Sequence, residues 1–149
     1  MTARALTVER DVAAPAERTW RVLSDWPGQS EWMLGTQVRL TRGDGRSVGS
    51  RLVARTGWGP LAFTDPMEIT RWEPPRRCDV RHTGRLVRGV GIFTVVPRGD
   101  ARSTVVWTER LELPFGVVGR LGWPLARPAF EAGVRLSLRQ LAHHCEHAP

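Results

Sequence analysis

The feature that most constrains this chain is an amphipathic segment close to its C-terminus, residues 128–145. Apolar residues recur in it at intervals of three and four, which is the spacing of one stripe along an α-helix. The stripe consists of Phe130, Val134, Leu138, Leu141 and Cys145. Such a helix has to bury its stripe against another layer of structure. Since most of the chain before about residue 113 has strand-like patterns, the sequence predicts that this layer is a β-sheet.

The first strand is predicted at residues 6–12, where apolar and polar side chains alternate. Two short helices follow, one starting at Pro15 and one covering residues 27–33 with Asp25 as its cap. Further antiparallel strands, about six, fill the chain up to residue 113 and are separated by turns rich in Gly and Pro. The sequence thus predicts an α+β fold, a curved antiparallel sheet of about seven strands around a long C-terminal helix, with two short helices after strand 1. We expect residues 1–149 to form a single domain.

Two stretches are predicted to be irregular. Pro66 is expected to interrupt a long strand at residues 61–72, because proline cannot donate a hydrogen bond to the sheet. Residues 116–125 are expected to form a short helical or looped lead-in, with Pro124 and Pro128 fixing its entry into the long helix.

The charge of the chain is strongly positive, but its distribution points to no nucleic acid. All 22 basic residues are arginine and the net charge is +7, and the absence of Lys, Tyr and Asn is typical of a high-GC genome. The arginines are scattered from Arg4 to Arg139 with no dense block, whereas a nucleic-acid site needs them gathered on one face with stacking aromatics, so we expect no nucleic-acid partner. No apolar run approaches the roughly 18 residues that span a bilayer, so we expect no stable membrane insertion. Without a signal-peptide pattern, the sequence predicts a cytoplasmic protein, monomeric or homodimeric.

The cysteines and the C-terminal histidines are not predicted to form a redox or metal site. Cys78 and Cys145 are expected to be buried free thiols. His143 and His147 have the i, i+4 spacing of metal ligands, but they lie at a chain end, where helices fray. We therefore expect no metal and no cofactor.

A set of short sequence markers runs in order across nearly the whole chain. The markers are residues 8–15, Trp20, residues 25–27, Trp32, residues 48–51, residues 73–77, Trp107, Glu109 and residues 113–114. In these the chain resembles the START-like superfamily, in particular the SRPBCC polyketide cyclase/dehydrase-type proteins. The resemblance implies a helix-grip fold with a deep apolar cavity. Members of such families bind lipids, sterols, polyketides, plant hormones or isoprenoid quinones, and some are aromatase/cyclases.

The function favoured by the resemblance is binding of a small hydrophobic or aromatic ligand, of lipid, polyketide or isoprenoid type, in a cavity between sheet and helix. Arginine and histidine at the rim are expected to hold its polar end. One alternative is a polyketide aromatase/cyclase-like enzyme that uses an inward Glu or His as acid or base. Another is an interaction protein whose cavity is filled by its own side chains.

Candidate ligand-binding residues are large side chains predicted to face the space between sheet and helix. They are Trp32, Met33, Trp58, Phe63, Met67, His82, Trp107, Phe130 and Val134. The alternative for each is ordinary core packing. Gly133 interrupts the long helix, and it either leaves room for a ligand or permits close packing against a neighbouring segment.

Glu109 and His82 are the candidate catalytic residues. Glu109 shares the parity of Trp107 and Leu111, so it is predicted to face inward, where a carboxylate can serve as a general base. The favoured alternative is an ion pair with Arg10, since the first and last strands are neighbours in this fold. His82 is also predicted to face inward, but simple hairpins place it about 13 Å along the strand and two spacings of about 4.8 Å sideways from Glu109. The sequence therefore predicts that the two side chains share no hydrogen bond.

Overall fold

The alternating patterns form seven strands, and they combine with two α-helices over the part of the chain that the structure describes, residues 4–112 and 116–147. The structure is a computed structural model. The elements are β1 (Arg4–Val12), α1 (Ala16–Ser24), β2 (Thr36–Arg42), β3 (Arg51–Thr56), β4 (Phe63–Glu73), β5 (Arg77–Thr83), β6 (Arg88–Pro97), β7 (Ser103–Glu112) and α2 (Gly116–His147). Two short 3₁₀ helices lie at Pro27–Glu31 and Gly59–Leu61.

The strands form one antiparallel sheet in the order β1-β7-β6-β5-β4-β3-β2. Strands β2 to β7 follow one another as a meander, and β1 joins the sheet beyond β7, with Val8 opposite Trp107. The long helix α2 contacts β1 and α1. The predicted fold class, a seven-stranded antiparallel sheet with a long C-terminal helix and short helices after strand 1, is therefore confirmed.

The apolar stripe of α2 is buried as predicted. Val134, Leu138, Leu141 and Cys145 are each exposed by 5% or less, and Phe130 packs against the same core. The helix begins earlier than expected, at Gly116, and contains Pro124 and Pro128. The helix continues through both prolines because they are solvent-exposed, so water can hydrogen-bond to the carbonyls that lose an N–H partner there.

The elements between β1 and β4 differ from the prediction in detail. The second short helix is the 3₁₀ helix Pro27–Glu31, and its cap is Trp26 rather than the predicted Asp25, whose carboxylate accepts only a long 3.4 Å bond from the Gly28 N–H. β3 begins at Arg51, shortly after Gly49, whose φ of +95° lies in the region that favours glycine.

Pro66 does not interrupt β4, which runs over 11 residues. Pro66 pairs with Val53 of β3 and lies just beyond the last β4–β5 pair, Met67 with His82. No ladder bond to β5 is lost there, so the strand tolerates the missing N–H.

Cys78 and Cys145 are buried free thiols, as predicted. Burial raises the pKa of Cys78 to about 12 and that of Cys145 to about 11, so neither is a reactive thiolate near neutral pH. Among the described residues, no helix has the length and hydropathy needed to cross a membrane.

Candidate functional site

A cavity of about 520 Å³ lies between the inner face of the sheet and α2. The lining is mostly apolar and aromatic, and the volume lies within the range of roughly 300–1,000 Å³ typical of small-molecule sites. Sheet and helix therefore do not fill the space between them with their own side chains.

Seven of the nine predicted ligand-binding residues line this cavity. They are Met33, Phe63, Met67, His82, Trp107, Phe130 and Val134. That they contact a ligand stays a prediction. Trp32 does not line the cavity, because it is buried behind Trp107, edge-to-face at 6.5 Å. Trp58 does not either; it is 71% exposed at the β3–β4 hairpin and lies against Gly35.

Gly133 lines the cavity from α2. A Cβ atom built on it meets no atom within 4 Å. The close-packing explanation for this glycine is therefore wrong, and its missing side chain leaves the space open.

Three ionisable side chains meet in one wall of the cavity. His82 Nε2 lies 2.9 Å from Glu109 Oε2, and His82 Nδ1 lies 3.0 Å from both carboxylate oxygens of Asp65. The other oxygen of Glu109 accepts a hydrogen bond from Trp107 Nε1 at 2.9 Å. His82 and Glu109 are each 7% exposed, so the cluster is screened from bulk water. We refer to Asp65, His82 and Glu109 as the acidic cluster.

The prediction that His82 and Glu109 share no hydrogen bond is wrong, and the reason is strand register. The assumed hairpins placed Glu109 level with Cys78 of β5. In the structure Glu109 pairs with Gly91, and Gly91 pairs with Val80, only two residues from His82. Because the intervening strand β6 has a glycine at this position, no side chain separates the two groups.

Two glycines of β6 make this meeting possible. A Cβ on Gly91 would lie 3.0 Å from Glu109 Oε1 and 3.2 Å from a methyl carbon of Val80. Gly89, directly opposite His82, has a φ of +121°, and a Cβ there would lie 2.0 Å from the carbonyl oxygen of Arg110. Gly89 and Gly91 occupy positions of β6 with inward parity, and two glycines there indicate that side chains are missing from the inner face of that strand.

The predicted ion pair between Glu109 and Arg10 is also wrong. Glu109 lies opposite Leu6, whereas Arg10 lies four residues further along β1, opposite Val105. Arg10 is exposed despite its inward parity, and the contacts of Glu109 go to His82 and Trp107 instead.

The third member of the cluster, Asp65, was missed by the sequence reasoning. It stands between Phe63 and Met67 with the same parity, so the alternation that assigned those two residues to the cavity applied to Asp65 as well. A carboxylate on an apolar face was a sufficient signal. By contrast, none of the described lining residues is an arginine, and that arginine at the rim holds a ligand stays a prediction.

Burial alone would lower the pKa of His82, because it disfavours the charged ring. Hydrogen bonds to Asp65 and Glu109, together with their negative charges, outweigh this and raise the pKa of His82 to about 10. The ring is therefore an imidazolium at neutral pH and donates through both nitrogens. The acidic cluster therefore sets two acidic side chains against one imidazolium.

The C-terminal histidines lie apart from the cavity. The rings of His143 and His147 stack at 4.2 Å, and His144 Nε2 lies 2.7 Å from Glu31 Oε2. Within residues 4–112 and 116–147, no group of three or more His, Cys, Asp or Glu side chains is arranged to hold a metal ion.

Residues 3–146 match the family described as polyketide cyclase / dehydrase and lipid transport. No curated protein matches the chain in sequence.

Solved structures share the fold. TTHA0849 from Thermus thermophilus superposes with a TM-score of 0.80 at 19% identity, covering 95% of this chain and 97% of that one. The Zhui aromatase/cyclase from Streptomyces sp. R1128 gives 0.80 at 16% identity, covering 96% and 93%. A point mutant of norcoclaurine synthase from Thalictrum flavum, in complex with a transition-state analogue, gives 0.65 at 18% identity, covering 95% and 96%. At these identities the likeness concerns the fold alone.

Proposed function

Since the chain belongs to the polyketide cyclase/dehydrase and lipid transport family, we propose that it binds one small hydrophobic or aromatic molecule, of lipid, polyketide or isoprenoid type, between sheet and α2. The observation that carries the proposal is the cavity of about 520 Å³ with its apolar and aromatic lining. Phe93, Trp107 and Phe130 offer flat surfaces to such a molecule.

Burial of the ligand supplies the affinity. A guest that removes about 300 Å² of apolar surface from water gains roughly 7 kcal/mol, from which the cost of immobilising it has to be subtracted. Polar groups in the wall would then decide which apolar molecule is held and in which direction.

The test is to block the cavity from α2. Gly133→Phe projects a benzyl group into the open space, whereas Gly122→Phe places the same group on the exposed part of the same helix, where a Cβ also meets nothing within 4 Å. Binding of the neutral fluorophore Nile red is measured for the wild type and both variants. We expect Gly133→Phe to weaken binding at least 10-fold and Gly122→Phe to leave it unchanged.

Equal binding by Gly133→Phe and the wild type would contradict the proposal, provided that circular dichroism shows the variant to be folded. Native mass spectrometry of protein purified from its own host adds an independent test. We expect the wild-type protein to retain a small molecule and the Gly133→Phe variant to lose it.

A second candidate function, cyclase chemistry in the same cavity, is favoured by the acidic cluster. Ring closure of a poly-ketone requires removal of a proton from a carbon between two carbonyls, formation of a carbon–carbon bond to a further carbonyl carbon, and protonation of the resulting alkoxide. Loss of water from this alcohol and enolisation of the remaining carbonyls then give the aromatic ring. A carboxylate of Glu109 or Asp65 would take the first proton and, as the resulting carboxylic acid, would return it to the alkoxide, while His82 holds both acidic side chains in place.

This candidate is tested with a poly-ketone thioester and detection of the aromatic product by absorbance. Glu109→Gln should abolish product formation, while Glu9→Gln, which removes the same charge on the exposed face of β1, should not. A Glu109→Gln variant that is folded and turns over at the wild-type rate would exclude Glu109 from the chemistry.

A further inference from the structure

Acidic side chains outnumber basic ones in the described cavity wall. The chain carries a net charge of +7, yet none of its described lining residues is an arginine, and the ionisable lining groups are those of the acidic cluster. Two acidic side chains face a single histidine ring in a largely apolar enclosure, and no basic side chain of the described lining offsets the second acid. Charges interact more strongly there than at the surface, because little water is available to screen them.

The hydrogen-bond donors of the wall are mostly engaged within the protein. Both ring nitrogens of His82 face carboxylates, and the Trp107 N–H donates to Glu109. The indole N–H of Trp26 donates to the carbonyl of Gly45. An anionic ligand would therefore find few donors to replace its water.

Hydrogen-bond acceptors of the wall, in contrast, are still available to a ligand. Each carboxylate oxygen has two lone pairs, and each oxygen of Glu109 is matched to one donor, either Trp107 or His82. Asp65 accepts from a single ring nitrogen through two oxygens. Capacity remains on both carboxylates for a donor supplied by a guest.

We propose that the cavity discriminates by charge, excluding carboxylates and phosphates and preferring a hydrophobic molecule whose polar end is a hydroxyl, phenol or amine that donates to Asp65 or Glu109. The proposal rests on ligand binding in the cavity and narrows its substrate class. The Asp65 and Glu109 oxygens would replace the water around the donor group, while the apolar walls cover the rest of the guest.

The experiment uses four ligands of one shape at pH 7: anthracene, 2-hydroxyanthracene, 2-aminoanthracene and anthracene-2-carboxylate. Dissociation constants are measured by quenching of the protein's tryptophan fluorescence, because Trp26 and Trp107 line the cavity. We expect the hydroxyl and amino ligands to bind at least 5-fold more tightly than anthracene, and the carboxylate at least 10-fold more weakly than the hydroxyl ligand.

Variants connect the preference to the acidic cluster. Glu109→Gln and Asp65→Asn each remove one negative charge from the wall, so either should reduce the ratio between the carboxylate and hydroxyl dissociation constants at least 5-fold. Glu9→Gln changes the total charge equally on an exposed strand face and should leave that ratio unchanged. Two cluster variants are used so that one remains informative if the other does not fold.

The outcomes separate this inference from the proposed function. If anthracene binds in the cavity and the carboxylate binds as tightly as the hydroxyl ligand, the charge preference is wrong while ligand binding stands. If neither anthracene nor the three derivatives bind, both fail. A preference that persists in both cluster variants would assign the selectivity to other groups and overturn this inference as well.

Discussion

The acidic cluster makes a direct prediction about protonation: His82 should remain an imidazolium well above neutral pH. Burial opposes the charged ring, but the ring lies between Asp65 and Glu109 at 3.0 Å and 2.9 Å. Their hydrogen bonds and charges raise the pKa of His82 from the ordinary 6.5 to about 10. The experiment raises the pH from 6.5 to about 8.5, a range over which an ordinary histidine loses its proton.

The consequence for stability follows from proton linkage. Because the folded pKa of His82 lies above the unfolded one, its stabilising contribution is fully present below about pH 6.5 and disappears as the pH rises towards about 10. The unfolding free energy should fall by at most about 1.4 kcal/mol per pH unit. Because the histidine of the unfolded chain is still half protonated at pH 6.5, the loss between about pH 6.5 and about pH 8.5 is about 2.3 kcal/mol. Cys78 and Cys145 add a similar loss only near pH 9 and above, where a thiol ionises in the unfolded chain.

The protonation state is measured by NMR of the ring nitrogens and carbons, with the His82 signals assigned by their loss in His82→Gln. Urea unfolding followed by tryptophan fluorescence gives the free energy at each pH. In Glu109→Gln the titration midpoint of His82 should fall, since one of its two negative partners is gone. Glu9→Gln serves as the control for total charge. A His82 midpoint near 6.5 in the wild type would refute the electrostatic reasoning.

Three further predictions concern stability and are read from urea unfolding. Gly89→Ala should destabilise the fold by about 1–3 kcal/mol or more, because Gly89 has a positive φ and its added Cβ would meet the carbonyl of Arg110. Gly91→Ala should destabilise the fold less, but it should lower the pKa of His82, because the added Cβ would displace the Glu109 carboxylate. A lower cost at Gly89 than at Gly91 would contradict this. Gly133→Ala should stabilise α2 by about 1 kcal/mol, as its Cβ meets nothing; a loss of stability would indicate hidden close packing. Leu141→Ala, fully buried, should cost roughly 2–5 kcal/mol, whereas Leu121→Ala, 72% exposed, should stay within about 0.5 kcal/mol. Similar costs for the two leucines would contradict the packing of α2.

The site was partly predictable because inward parity is a local property. Alternation along β7 was enough to place Glu109 on the buried face, and alternation along β5 did the same for His82. The same parity places Asp65 on the cavity face, between Phe63 and Met67. Parity states which face a side chain occupies, but it does not state which side chain of another strand lies beside it.

Neighbours across a sheet depend on register, and register depends on turn geometry and bulges that local patterns specify poorly. A shift of two residues in the assumed β5–β6–β7 pairing was enough to separate His82 from Glu109. The expected ion pair between Glu109 and Arg10 is wrong for a similar reason. Both residues have inward parity on adjacent strands, but Arg10 lies four residues along β1 from the position opposite Glu109, and parity does not reveal this offset. The role of Gly91 as the gap between His82 and Glu109 emerges only once the strands are aligned.

Hydrophobic periodicity is set within each segment, and it was therefore sufficient to specify the long helix with its buried stripe, the antiparallel sheet and the inward face of each functional strand. Three properties required the folded chain: the space under α2 stays open, three ionisable groups converge in its wall, and no arginine among the described residues lines it. Volume, register and charge balance arise from residues far apart in sequence, so no single segment encodes them.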